Sequence, residues 1–186
     1  MLELYDGKIR DLLGRDKEKG LTVMLPADKS QTYIKDQAFF SVTSYVQCST
    51  FIRTGQQIRK VTSTNLNAQS SRSHCVYHLQ MVEKTTQNVV SNFSIIDLAG
   101  AERTLKTGGT TNTQMQNETN KINASLSALH DVMHGKLDAY RNDNLTKTVA
   151  RYFAGNAHIS MICNINPSPT EYNETIQSLR WAALAS

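Results

Sequence analysis

The clearest pattern in the chain is a pair of apolar runs that predict two adjacent β-strands. Apolar and polar side chains alternate through residues 75–81, a period of two that is typical of a strand. A second run, residues 93–96, is aromatic or β-branched and gives way to polar chemistry at Asp97. Asn88 marks a turn between the runs, so we predict an antiparallel pair whose second member is a buried strand.

The first part of the chain predicts short strands. Residues 2–4 predict one strand, and residues 9–13, whose apolar members are Ile9, Leu12 and Leu13, extend it into a short helical turn. Because this strand lies so close to residue 1, we expect its neighbouring strands to lie outside the 186 residues. Residues 21–25 and 32–35 predict a hairpin, with residues 26–30 as its turn.

Four stretches have the periodicity of amphipathic helices, because apolar residues recur three or four positions apart. They are residues 43–60, with Thr43 or Ser44 as N-cap; residues 122–133; residues 145–153, ended by Gly155 and Asn156; and residues 170–183. The last helix is predicted to bury Tyr172, Ile176, Leu179 and Ala183.

Two further segments complete the pattern. Residues 104–119 are nearly devoid of apolar side chains and carry Gly108 and Gly109, so they predict a mobile loop. The apolar residues 159–165 predict another buried strand, ended by Pro167 and Pro169.

Composition narrows the class of protein. The chain has 186 residues, of which 39% are hydrophobic and 19% charged, so it fits one globular domain. No apolar run approaches the ~20 residues of a membrane helix, and residues 1–8 do not resemble a signal peptide, so we expect a cytoplasmic protein with no membrane partner. The net charge is +4, but the basic residues are scattered along the chain and interleaved with acidic ones, which favours a solvated surface over a dedicated basic patch. No nucleic-acid partner is expected. The three cysteines, Cys48, Cys75 and Cys163, are far apart in apolar runs and are predicted to be core thiols.

The junction at Asp97 is the first candidate for chemistry. A carboxylate at the end of a strand can hold a water bound to Mg²⁺, and Gly100 would let a backbone N–H approach a phosphate oxygen. Taken alone, these two residues fit an ordinary turn after a strand as well as they fit a phosphate site. A second sequence element is needed to decide between the two interpretations.

That second element is the stretch Ser70, Ser71, Arg72, Ser73 and His74, with Asn67 just upstream. Together with Asp97-Leu-Ala-Gly-Ala-Glu-Arg103, it resembles the two nucleotide-sensing switches of the kinesin motor domain, in the same order. Further segments are similar to kinesin signatures and cover essentially the whole chain: residues 2–13, 122–129, 140–146, 154–156 and 164–182.

The resemblance implies a fold and a domain assignment. It implies an α/β fold, a mixed central sheet of the P-loop NTPase type with helices on both faces, incomplete at the N-terminus. Residues 1–186 would form a partial kinesin motor domain, and the ligands of the complete domain would be ATP and Mg²⁺.

The resemblance also assigns roles at the nucleotide. The Ser71 hydroxyl would reach Mg²⁺ and the γ-phosphate, and Ser70 would help to place the attacking water. Asp97 would hold a metal-bound water and the Gly100 N–H would sense the γ-phosphate, while Asn67 belongs to the same nucleotide-binding set.

A second group of implied roles concerns switching and the filament. Arg72 and Glu102 would form an ion pair that closes one switch on the other, an ordering that phosphate contacts drive and hydrolysis releases. Asn123 would begin the helix that carries the change to the microtubule. The residues assigned to microtubule binding are Lys121, Lys136, Arg141 and Lys147.

The chain departs from the family pattern in several places. It contains no Gly-x-x-x-x-Gly-Lys-Ser/Thr loop to cradle phosphates, and it stops before the neck linker. These residues alone are therefore not expected to hydrolyse ATP, and the N-terminal half of the motor domain, or a partner chain, is expected to supply the cradle. Ala101 and Asn144 replace a usual Ser and Lys, which weakens the expectation of microtubule affinity.

Three functions are weighed. The favoured one is part of a kinesin-like motor that couples ATP hydrolysis to microtubule binding and movement, located on the microtubule cytoskeleton. The alternative is a non-motile, ATPase-deficient kinesin-like protein that binds microtubules or serves as a structural element. A GTPase is disfavoured, because residues 120–123 lack the acidic residue that pairs with guanine and lie at the start of a helix.

Overall fold

The computed structural model describes residues 1–61, 72–100 and 113–183. The chain divides into two compact units, and each is described by itself. The first consists of Met1–Thr22 and Ile34–Gly100, and the second of Val23–Tyr33 and Ala101–Ser186. The described parts of both units contain helices and strands in the order that follows.

Six strands form one sheet among the described residues. They are β1 (Leu2–Tyr5), β2 (Lys8–Asp11), β3 (Gly20–Met24), β4 (Tyr33–Lys35), β5 (His74–Val82) and β6 (Val89–Asp97). Their order across the sheet is β4-β3-β2-β1-β5-β6. Strands β1 and β2, β1 and β5, β2 and β3, and β5 and β6 pair antiparallel.

Four α-helices accompany the sheet. They are α1 (Tyr45–Val61), α2 (Thr113–Met133), α3 (Asn144–Ala154) and α4 (Tyr172–Ala182), and short 3-10 helices cover Lys29–Gln31, Leu137–Arg141 and Pro169–Glu171. Within the described ranges, no helix is long and apolar enough to cross a membrane.

A tight hairpin joins β1 to β2 and corrects the sequence prediction for this region. Asp6 and Gly7 have φ of 50° and 72°, and a two-residue hairpin turn of type I′ needs positive φ at both positions. Lys8–Asp11 is therefore a second strand, and the predicted helical turn is wrong. The Asp-Gly pair was the sequence signal for this turn.

The free edge of the sheet is not where the sequence placed it. Strand β1 pairs with β2 on one side and β5 on the other, so the prediction that its neighbours lie outside these residues is wrong. Among the described strands, β4 and β6 are the two end strands, and Phe93 and Ile95 on β6 are 61% and 52% exposed. The antiparallel pair of β5 and β6 is confirmed, but the prediction that β6 is buried is wrong, because alternation identifies a sheet face and does not show that the face is covered.

Helix α1 packs against the β1–β5 face through a close approach at Gly55. Ser44 caps the helix, since the Gln47 N–H donates to Ser44 Oγ at 3.3 Å, and this confirms one of the two predicted caps. A Cβ at Gly55 would overlap Met1 Sδ, so the Met1 side chain would have to move to accommodate a larger residue. Met1 belongs to a buried cluster with Leu12 and Cys75.

The second unit contains α2 and α3. Leu145 and Val149 are buried on α3, and Gly155 ends it, as predicted. A core cluster of Val132, Tyr140 and neighbouring residues packs between these elements, and burial raises the pKa of Tyr140.

Helix α2 begins at Thr113, earlier than its apolar face predicts, so the prediction that Asn123 begins this helix is wrong. Residues 113–119 are helical, so this part of the predicted loop is wrong, while residues 104–112 lie outside the described residues. The buried face that starts at Ile122 stabilises the helix by packing. Because extending an existing helix costs far less free energy than nucleating a new one, the polar residues before Ile122 can join it.

The C-terminal segment departs most from its predicted burial. Residues 159–165 form no strand, and Ile162 is 87% exposed. The final helix is present, but α4 has no buried residue, so the predicted buried face is also wrong. A strand needs a neighbouring backbone for its hydrogen bonds, and the part of the chain that the structure describes pairs none with residues 159–165.

We expect Gly7→Ala to destabilise the fold by about 1–2 kcal/mol, because alanine is strained at positive φ. Gly20→Ala is the matched control: a Cβ there also meets no atom within 4 Å, and Gly20 is not among the glycines with positive φ. Urea unfolding of the motor domain that contains this chain measures both. Equal losses for the two variants would contradict the assigned turn.

Candidate functional site

The two stretches singled out in the sequence meet at one end of the sheet. Strand β5 begins at His74 and β6 ends at Asp97, and the antiparallel register places Cys75 opposite Asp97. The residues that precede β5 and those that follow β6 therefore lie side by side. The fold thus brings Arg72 and Ser73 close to the segment from Asp97 to Gly100.

Arg59, in the last turn of α1, joins both stretches. Its Nε donates to Ser73 Oγ at 3.2 Å and its Nη2 donates to the Ser73 carbonyl at 2.7 Å. Its Nη1 donates to Asp97 Oδ2 at 2.9 Å. One buried guanidinium therefore fixes the start of β5, the end of β6 and the end of α1 relative to one another.

The ion pair between Arg59 and Asp97 is asymmetric. The Arg59 side chain is buried, whereas the Asp97 side chain is 59% exposed. Breaking the pair from the Asp97 side would remove a charged partner from a buried cation, which is costly. An exposed carboxylate, in contrast, can exchange a protein partner for water or another ligand at small cost.

His74 fixes the segment that follows Asp97. The Ala99 N–H donates to His74 Nδ1 at 3.0 Å, and both residues are buried. Because Nδ1 accepts this bond, the imidazole is neutral with its proton on Nε2. The backbone that leads to Gly100 is thus held to the first residue of β5.

Cys75 is a buried thiol beside this network. It is fully buried, as predicted for a core thiol, while Cys48 and Cys163 are only partly buried. Burial raises the pKa of Cys75, and the positive charge of Arg59 acts in the opposite direction. The thiol therefore stays neutral and acts as part of the packing.

The structure describes some of the predicted nucleotide-site residues. Arg72 lies half-buried just before β5, Asp97 ends β6, and Gly100 lies two residues beyond Leu98. The other predicted residues of this site lie outside the described residues: Asn67, Ser70, Ser71 and Glu102. The Arg72–Glu102 ion pair and the role of Ser71 therefore stay predictions.

Asp97 is the described residue that fits a magnesium site. Its carboxylate offers the hard oxygen atoms that Mg²⁺ prefers, and its exposure leaves room for a metal-bound water. Among the described residues, no group of three or more His, Cys, Asp or Glu side chains is placed to hold a metal. In phosphate sites, Mg²⁺ binds through one or two protein oxygens, several waters and the phosphates themselves.

The residues predicted to contact the microtubule all belong to the second unit. Lys121 is exposed on α2, Arg141 is exposed at the end of a 3-10 helix, and Lys147 is half-buried on α3. Lys136 donates to Asp131 Oδ1 at 2.7 Å, and this bond lowers the pKa of Asp131. Its charge is therefore partly neutralised within the chain.

Sequence reasoning missed Arg59, although the sequence contained a signal. Cys48, Ile52, Gly55 and Arg59 follow one another at spacings of four, three and four residues, so Arg59 lies on the inward stripe of α1. A charged residue on such a stripe needs a buried partner, because an isolated buried charge is costly. Ser73 and Asp97, at the end of the sheet, are partners of this kind.

Comparison with known proteins agrees with this architecture. A family model described as the kinesin motor domain matches residues 1–186. The kinesin-like protein KIN-14C of Arabidopsis thaliana is 36% identical, with the alignment covering 98% of this chain and 26% of that protein. The kinesin-like protein klp-20 of Caenorhabditis elegans is 33% identical, over 97% of this chain and 29% of its own length.

Solved motor domains share the fold. The C-terminal motor domain of Kar3 from Candida glabrata has a TM-score of 0.72 and 29% identity, covering 99% of this chain and 55% of that one. A fast kinesin has a TM-score of 0.79 and 32% identity, covering 99% of this chain and 53% of that one. This chain therefore spans just over half of these solved motor-domain chains.

The fold and these similarities define a motor-domain class of protein, and the predicted fold class is confirmed. The chain belongs to the kinesin family, as part of a kinesin motor domain.

We expect Arg59→Lys to destabilise the motor domain by about 2 kcal/mol, because lysine cannot reproduce the three-way contact to Ser73 and Asp97. The matched control is Arg53→Lys, an exposed position on the same helix, where the change should stay within about 0.5 kcal/mol. Denaturant unfolding measures both. If the two variants lose the same stability, Arg59 does not organise this sheet end.

Proposed function

We propose that this chain is the part of a kinesin motor domain that senses the nucleotide and contacts the microtubule, coupling ATP hydrolysis to movement along the filament. The observation that carries the proposal is the joining of the two predicted switches. Arg59 bridges Ser73 and Asp97, and His74 holds the Ala99 backbone. A change at either stretch is therefore felt by the other.

Asp97 is the residue through which the nucleotide state would be read. When bound, Mg²⁺ neutralises charge on the phosphates and supplies an ordered water to the Asp97 carboxylate. That water and the Arg59 guanidinium would share the same carboxylate, since Arg59 already donates to Asp97 Oδ2. The hydroxyl of Ser71 would complete the metal site, and Asn67 and Ser70 would position the nucleotide and the attacking water.

Gly100 and Arg72 would link the magnesium contact at Asp97 to the closing of one predicted switch on the other. The Gly100 N–H follows a backbone segment that His74 anchors, so a hydrogen bond from Gly100 to a γ-phosphate would pull on an already fixed loop. Arg72 precedes Ser73, which Arg59 holds by two hydrogen bonds. An ion pair from Arg72 to Glu102 would then lock the two switches together and release them after hydrolysis.

Microtubule contact would come from the α2–α3 region. Lys121, Arg141 and Lys147 lie on α2, the following 3-10 helix and α3, and Asn123 lies on the exposed side of α2. Positive side chains suit the acidic surface of a tubulin filament, and they act mainly on the rate of encounter. Lys136 would contribute less, because Asp131 is bonded to it.

The phosphate cradle would be supplied by the rest of the motor domain. The chain contains no Gly-x-x-x-x-Gly-Lys-Ser/Thr sequence, and it spans just over half of the solved motor-domain chains that it matches. We therefore assign the cradle to the remaining half of the motor domain or to a partner chain. The assembled protein would act on the microtubule cytoskeleton.

We expect Asp97→Asn in the complete protein to lower microtubule-stimulated ATP hydrolysis by at least roughly 100-fold, a loss typical of removing one preorganised electrostatic group. Asp36→Asn is the matched control, because Asp36 is an exposed carboxylate whose partner is the exposed Lys19. Steady-state phosphate release with and without microtubules measures both.

Asp97→Asn with unchanged hydrolysis would contradict the assigned role. A complete protein that binds microtubules but hydrolyses no ATP would instead support the alternative, a non-motile kinesin-like protein.

A further inference from the structure

Ser125 is a buried hydroxyl residue that joins α2 to the beginning of α3. The residue is only 6% exposed, and its Oγ donates to Asp143 Oδ1 at 2.6 Å, which is short for a bond from a hydroxyl group. Ser125 lies within α2, and Asp143 is the N-cap of α3. The bond therefore ties one turn of α2 to the first turn of α3.

Asp143 is also the residue around which the first turn of α3 is built. Its Oδ1 accepts a hydrogen bond from the Leu145 N–H at 2.7 Å, which caps the helix. Its backbone carbonyl accepts from the Lys147 N–H at 3.0 Å and from Thr146 Oγ1 at 2.8 Å. Holding Asp143 therefore holds the whole first turn of α3, which includes Lys147.

The Ser125–Asp143 bond adds a direction that apolar packing does not supply. Val132 on α2 and Ala150 on α3 belong to one buried cluster. Ser125 lies seven residues before Val132, about 10 Å along the axis of α2. Because burial of apolar surface is non-directional, packing alone tolerates small sliding and rotation of one helix on the other. A hydrogen bond at a second point restricts both movements.

The turns that this bond joins carry the basic residues assigned to the microtubule. Lys121 lies four residues before Ser125, one turn earlier on α2. Arg141 lies two residues before Asp143, and Lys147 lies four residues after it. The bond therefore lies between these basic positions and sets the spacing of α2 from α3 where they occur.

We propose that Ser125 and Asp143 are positioning residues that hold α2 and α3 as one preformed microtubule-binding surface. Fixing the spacing of the basic side chains before binding lowers the cost of ordering them on the filament. The bond therefore acts on microtubule affinity and not on the chemistry at the nucleotide. This inference rests on the proposed function, because it deepens the assignment of the α2–α3 region to microtubule contact.

The first test is Ser125→Ala in the complete protein, which removes the hydroxyl and leaves Asp143 to cap α3. Co-sedimentation with microtubules measures the dissociation constant, and phosphate release measures ATP hydrolysis at increasing microtubule concentration. We expect the dissociation constant and the half-stimulating microtubule concentration to rise on the order of fivefold, the effect of about one hydrogen bond. The maximal rate and the rate without microtubules should stay unchanged.

Thr148→Val is the matched control for loss of a buried hydroxyl. Thr148 is 2% exposed, and its Oγ1 donates to the Asn144 carbonyl at 2.8 Å within α3, so this bond joins no second helix. Thr148→Val should keep the wild-type dissociation constant. A rise equal to that of Ser125→Ala would show that any lost buried hydroxyl in this region weakens binding, and would overturn the proposal.

Two changes at Asp143 separate the hydrogen bond from the charge. Asp143→Asn keeps an oxygen that can accept from Ser125, whereas Asp143→Ser keeps a capping hydroxyl but is too short to reproduce the carboxylate contact. Both variants remove the same negative charge. We expect Asp143→Asn to bind microtubules more tightly than Asp143→Ser, and equal binding by the two variants would overturn the proposal.

A double mutant tests whether the two side chains act through each other. In the Asp143→Ser background, Ser125→Ala should cause little further loss of affinity, because the bond is already absent. A further loss as large as that in the wild-type background would overturn the proposal. If neither Ser125→Ala nor Asp143→Ser folds, the bond is needed for folding itself and the proposal is also overturned.

The outcomes distinguish this inference from the proposed function. A complete protein that binds microtubules equally well with and without the Ser125 hydroxyl overturns the inference and leaves the proposed function standing. A complete wild-type protein that does not bind microtubules overturns both.

Discussion

The contact of Arg59 with Ser73 and Asp97 is the interaction on which the described site depends. Three hydrogen bonds from one buried guanidinium tie the end of α1 to the start of β5 and the end of β6. The register of β5 and β6 and the hydrogen bond from the Ala99 N–H to His74 also join the two predicted switches, but neither involves α1. With the Arg59 contact, the position of the Asp97 carboxylate is linked to the position of the helix end, so the site and its scaffold move together.

The sequence predicted which segments form strands and helices better than it predicted their burial. The period of two in β5 and β6 and the inward stripe of α2 depend on local geometry, which the sequence contains. The exposure of Phe93 and Ile162 depends on what packs against them, and the chain spans only about half of the solved motor domains with this fold. The hairpin at Asp6 and Gly7 was within reach of the sequence, because an Asp-Gly pair at positive φ is a local signal.

For the site, sequence motifs identified Arg72, Asp97 and Gly100 but not the residues that hold them in place. Arg59 lies on α1, far in the sequence from Asp97, and only the fold brings the two side chains together. A position on the inward stripe of a helix was the sole local sign for Arg59.

The most direct test of this account is a crystal structure of the complete motor domain with Mg²⁺ and a non-hydrolysable ATP analogue. The account predicts that the Asp97 carboxylate contacts a magnesium-bound water, and that the Arg59 guanidinium still donates to Ser73. An Asp97 carboxylate with no such water in that state, or an Arg59 guanidinium that has left Ser73, would contradict it.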